Sequence, residues 1–133
     1  MKRFFVAVFI LSLCVGPVFP QQQTKQLIGR RLSYEIVHIG SGQFAFSIAD
    51  IIDTNRKIDF EISRLFDTVY DINIWQGNSI AKIATVELYS GAFYQIISRR
   101  IRHEHSRGAN FEWYQYADRL SSIVAAFIIN THS

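Results

Sequence analysis

After Pro20 this 133-residue chain has no proline, and only six glycines follow that point. Tight turns draw on Gly, Pro, Asn and Asp in clusters, so a chain with few clusters has few places to reverse direction. Four clusters stand out: Gly40-Ser41-Gly42, Asp53-Thr54-Asn55, Gly77-Asn78-Ser79 and Ser106-Arg107-Gly108. The segments that follow them are 10 to 26 residues long, which suits helices.

Apolar spacing points the same way. Ile58, Ile62, Leu65, Val69 and Ile72 alternate steps of four and three, the mark of one helix face. Trp113, Ala117, Leu120, Val124 and Phe127 repeat the pattern, and between Ser79 and Ile101 the apolar residues go nearly all round. Residues 24–39 read as a further helix with Leu27, Ile28, Leu32, Ile36 and Ile39 on its apolar face, Gly40 ending it and Ser41 capping the next. The fold expected is mainly α, a small bundle of about four helices forming a single domain over residues 21–133. Period-two alternation in Phe44–Ile48, Ile58–Ile62 and Tyr70–Ile74 supports the alternative, α+β with an N-terminal hairpin at residues 34–48.

Residues 1–20 read as a secretory signal. Lys2 and Arg3 precede the apolar run Phe4–Val15, and Gly16-Pro17 closes it. Even extended to Phe19 the run falls short of the roughly 20 residues that a membrane-spanning helix needs. Cleavage is expected near Gln21 or Gln22, giving a secreted, periplasmic or cell-envelope protein. Cys14 is the only cysteine and lies inside this run, so the exported chain has no disulfide to hold it. Leu13 stands where a lipoprotein signal wants a small residue.

Without Lys2 and Arg3 the balance is 12 basic against 11 acidic residues, which argues against nucleic acid as a partner. The distribution is uneven. Residues 41–80 hold six acids (Asp50, Asp53, Asp59, Glu61, Asp67, Asp71) against Arg56, Lys57 and Arg64, whereas Arg99, Arg100, Arg102 and Arg107 face Glu104 alone. These four arginines are the candidate contact for an anionic surface, a membrane included, and they also suit a helix C-terminus. His103 and His105, two apart, point about 200° from each other on a helix and cannot share one metal ion there. No metal site is expected.

"GSGQFA" fits G-x-G-x-x-G/A, with Ala45 in the third place and Glu61 about 20 residues beyond Gly40 and Gly42, where an acid would meet a ribose. The stretch 34–61 thereby resembles the Rossmann dinucleotide fingerprint. Export argues against that role, and so does the short chain that follows. A hairpin across the triplet and a break between two helices are the competing readings. Trp113, Tyr114 and Tyr116 follow the arginines and are candidate contacts for a protein partner or a membrane surface. With no Walker A loop, no G-x-S-x-G elbow and no cysteine after residue 20, an enzyme is not the expectation, and no cofactor is expected. The expected function is association: with copies of itself, with a partner in an envelope or secretory assembly, or with a membrane surface. A carrier of lipid or a small apolar ligand is the alternative and requires a dry cavity between helices.

Overall fold

The structure, a computed structural model, describes residues 25–106 and 111–132; the predicted signal segment and Arg107 lie outside the described residues. Six strands follow in order: β1 (Gln26–Ile28), β2 (Leu32–Gly40), β3 (Gln43–Asp50), β4 (Lys57–Phe66), β5 (Val69–Gln76) and β6 (Ser79–Glu87). Each pairs antiparallel with its neighbour in sequence, giving one sheet of order β1-β2-β3-β4-β5-β6. Two helices follow among the described residues, α1 (Gly91–Ser106) and α2 (Phe111–His132). This overturns the expected mainly helical bundle.

The error has a physical source. A step of four is even, so Ile58 and Ile62 share a face on a strand as well as on a helix, and so do Leu32 and Ile36. Between Ile62 and Ile72 the expected helix seam instead crosses a turn: Leu65 is exposed, and Asp67, at φ 48°, reverses the chain into β5. The expected helix at 24–39 is β1, a turn and β2, and that at 79–101 is β6 followed by the first part of α1. A meander of long strands also needs fewer turn clusters than expected. Gly29 (φ 70°) and Asp67, neither in a cluster of small turn residues, close two of its hairpins.

Alternation across six strands gives the sheet one apolar face. In register, Ile36 meets Phe46, Phe46 meets Phe60 and Phe60 meets Ile74; alongside run Phe44, Ile62 and Ile72, and beyond them Ile48 and Ile58. All of these are buried. Side chains of this size stabilise by about 1.5–3 kcal/mol each when fully buried. The cover is the helix pair. Phe93, Ile97 and Ile101 of α1 and Trp113, Ala117, Leu120, Val124 and Ile128 of α2 turn inward to the same core. Phe93 meets Tyr70 edge-on and Phe127 meets Phe44 edge-on.

One polar clamp fixes where α2 lands. Glu112, in its first turn, accepts hydrogen bonds from the backbone N–H groups of Arg30 (3.0 Å) and Arg31 (2.8 Å) in the β1–β2 turn. The Arg31 guanidinium in turn pairs with the buried Asp50 carboxylate at 3.0 Å, and Asp50 also accepts from the N–H of Ile52 and Asp53. Burial opposes ionisation of Asp50, but the N–H groups of Asp53 and Ile52 and the Arg31 guanidinium outweigh it and hold its carboxyl below the usual range. Helix, turn and the β3–β4 loop are thereby tied at one end of the molecule.

Gly29 makes that contact close. A Cβ there would lie 2.5 Å from Tyr116 Cε2 and 3.2 Å from Glu112 Oε2, on a backbone that already favours glycine. Gly29→Ala is therefore expected to cost about 1–3 kcal/mol through strain and displacement of α2. Gly77→Ala, with equally positive φ (66°) but nothing within 4 Å, is expected to cost less. Urea unfolding followed by circular dichroism measures both, and equal losses would show that the Tyr116 contact contributes nothing.

Candidate functional site

The two helices present a polar groove on their outer side. Tyr94, Ser98 and Arg102 recur every four residues along α1 and face Tyr114, Asp118 and Ser122, which recur every four along α2. Asp118 is the hub. It accepts from Ser98 Oγ at 2.7 Å, from Arg102 Nη2 at 2.7 Å and from the Tyr94 hydroxyl. The Ser98 hydrogen bond is the largest influence, and with the Arg102 charge it holds the Asp118 carboxyl below its usual range. Burial, and then the Asp118 charge, push the Tyr94 phenol up. The Arg102 guanidinium also lies 5.3 Å over the Tyr114 ring, a cation–π contact. The groove encloses about 370 Å3 and is lined as well by Gln95 and Arg99.

The structure divides the predicted arginine cluster. Arg102 is committed to Asp118 and Tyr114, while Arg99 is exposed at the groove rim and makes no ion pair among the described residues. Arg100 is half-buried on the flank of α1, its Nε without a hydrogen-bond partner among the described residues. Arg107 lies outside the described residues. The aromatic cluster divides too. Trp113 is wholly buried in the core, Tyr116 is half-buried over Gly29, and only Tyr114 is exposed. Sequence reasoning missed Tyr94, Ser98 and Asp118. Their spacing of four becomes legible once the helix bounds are known, because Ser98 and Asp118 interrupt otherwise apolar or basic stretches.

Gly40, Gly42, Ala45 and Glu61 meet in a setting unlike a dinucleotide loop. Gly40 pairs with Gln43 across a two-residue turn in which Gly42 has φ 69°, and an antiparallel strand leaves it. No helix N-terminus opens there to supply N–H groups to a pyrophosphate. Ala45 and Glu61 are direct cross-strand partners on the sheet face opposite the helices.

That uncovered face is the second surface of interest. Across it run Glu35, Ser47 and Asp59; then Val37, Ala45, Glu61, Asn73 and Lys82; then Ser63, Asp71 and Thr85. Small side chains fill its middle on β3, and acids flank them. Lys57 and Lys82 offset only part of this charge, lying 3.6 Å from Asp59 and 3.9 Å from Asp71. Trp75 and Ile80, cross-strand partners, are exposed on the same face, with the indole N–H donating to Glu61 at 3.1 Å.

Ser98 donates its proton to an ionised carboxylate, and among the described residues no histidine stands beside it as a base. No group of three or more His, Cys, Asp or Glu is gathered for a metal among the described residues. No family model matches the chain, and neither a curated protein nor a solved structure is significantly similar to it.

Ser98→Ala is expected to raise the Asp118 pKa back towards the ordinary aspartate value of about 3.9, read by carboxyl NMR titration. Because Asp50 and Asp118 both titrate below their usual value when folded, each adds stability above that value. That contribution is lost as pH falls through the folded pKa, so unfolding free energy should decline on the acid side of about pH 4. An unchanged Asp118 titration in Ser98→Ala would remove Ser98 as the cause.

Proposed function

We propose that this is an exported, non-enzymatic protein that acts by association, with the uncovered sheet face as one contact surface and the outer side of the helix pair as the other. The observation that carries the reading is the separation of charge by face. Glu35, Asp59, Glu61, Asp71 and Glu87 alternate onto the uncovered side of the sheet against Lys57 and Lys82, whereas the helix layer carries Arg99, Arg100, Arg102 and Arg119 against Glu104, Glu112 and Asp118. Opposite faces of opposite sign complement each other between two copies, and potentials of this kind steer encounter and fix register. Trp75 and Ile80 on the acidic face, and Tyr114 on the basic one, supply the apolar contact that charge alone lacks. The favoured partner is a second copy of the chain, stacked face to back.

Two alternatives draw less support. A lipid carrier needs space between its layers, and here that space is filled by Phe44, Phe46, Phe60, Phe93 and Trp113, all fully buried. A membrane-surface helix needs a free apolar side, and the one on α2 is turned to the sheet. Among the described residues no helix is long and apolar enough to cross a membrane.

Size-exclusion chromatography with light scattering on the exported chain tests the proposal. At low salt the mass should exceed one protomer and fall towards it as salt rises to about 1 M, where the screening length shrinks to about 3 Å. Asp59→Lys with Glu61→Lys, and separately Arg99→Glu, should each abolish association. A single protomer at every salt and protein concentration would sink self-association.

A further inference from the structure

The Gly-Ser-Gly turn forms the rim of a small pocket distinct from both association surfaces. It lies on the helix side of the sheet where β2 turns into β3 and encloses about 150 Å3. Its polar lining comes from five elements: His38 of β2, Ser41 of the turn, Arg64 of β4, Tyr70 of β5 and Thr131 near the end of α2. Every one of these side chains carries an N–H or O–H group, and among the described residues no carboxylate lines the pocket. A space of this size holds about five waters, enough for one small anionic group and too little for a nucleotide.

Gly42 is what brings Arg64 here. A Cβ at Gly42 would lie 2.8 Å from Arg64 Cβ and 3.4 Å from its Nε, so the arginine stem runs over bare backbone. The Arg64 N–H is anchored on the Gly42 carbonyl at 2.7 Å. At its far end Nη1 reaches the Asp67 carbonyl at 3.3 Å, which engages one of the five guanidinium N–H groups. The guanidinium stands near enough to Tyr70 for its charge to oppose the rise that burial imposes on that phenol. His38 is held flat against Phe44, with ring centroids 4.8 Å apart and planes at 12°, so its orientation is set by packing.

Two features work against an anion, and both are modest. Thr131 gives its hydroxyl proton to the Phe127 carbonyl, so it lines the pocket without offering a donor. The C-terminal end of α2 adds partial negative charge, which falls off within the last turn. Asp67 presents Arg64 with its carbonyl, and Glu87 is engaged by Thr68.

We propose that this pocket binds a small oxyanion, a carboxylate or phosphate group, with Arg64 as the charged anchor and His38 and Ser41 as neighbouring donors. The site is independent of the association surfaces and stands whether or not copies of the chain associate. Titration of the protein with sodium phosphate and, separately, sodium acetate at ionic strength held constant with sodium chloride tests it by amide NMR. Saturable shifts confined to residues 38–44 and 64–70 are the expected result. Saturation by phosphate alone assigns a phosphate group, and saturation by acetate assigns a carboxylate. Arg64→Gln, an exposed position, should weaken binding by at least about tenfold while leaving the circular dichroism spectrum unchanged. Gly42→Ala should weaken binding by displacing the arginine stem, and Arg56→Gln at the other end of the sheet should not. Non-saturating shifts with both salts, or equal affinity in a folded Arg64→Gln variant, would overturn the assignment.

Discussion

An unbroken row of large apolar side chains, Ile36 to Phe46 to Phe60 to Ile74, crosses four strands in register, and the rest of the molecule is arranged around it. A row of that kind cannot stand against water, and among the described residues the two helices after β6 cover it. Both turn their apolar sides to the same face. The opposite face is consequently left with what alternation puts there: small side chains, acids and two lysines. Its bareness follows from the strand period, as is usual for antiparallel sheets with one wet side.

Once the face is chosen, the edges need separate treatment. β1 pairs with only the first residues of β2, and among the described residues β6 has no strand beyond it. Two features make the outer strand a poor template for further pairing. Lys82 sits on it, and a bulge beside Lys82 leaves Ile83 without a direct partner in the register with β5. Association by stacking of faces is therefore easier to reconcile with this sheet than growth along its edge.

How much of this was legible varies along the chain. The C-terminal helix follows the mixed steps of three and four in Trp113, Ala117, Leu120 and Val124, but Ile58, Ile62, Leu65, Val69 and Ile72 show the same mixture across a turn between two strands, so the spacing alone does not separate the two. The sheet was not legible, because Ile58 to Ile62 and Leu32 to Ile36 are even steps that both periods accept, and scarce turn residues suit long helices as well as long strands. Phe44-Ala45-Phe46-Ser47-Ile48 did carry the right signal, and the arms of that hairpin alternate as the strand reading requires. For the sites, charge was legible as composition and illegible as geometry. The acidic middle and basic late segment are plain in the sequence, but their placement on opposite layers depends on which residues alternate outward. Trp113 has the aromatic character that favours interfaces, and its burial in the core uses the same property. His38, Arg64 and Tyr70 had no shared spacing to reveal them, since three different strands bring them together.

Glu112 bonds to backbone groups 81 and 82 residues earlier, so the last helix is fastened to the first hairpin. A ribosome delivers the six strands before the two helices. Every hairpin pairs with a sequence neighbour and can close early, but the lid over them follows all six strands. During that interval the phenylalanine row is a naked, strand-paired surface. The meander precedes the helices in the chain, so its hairpins can pair before the cover over them exists.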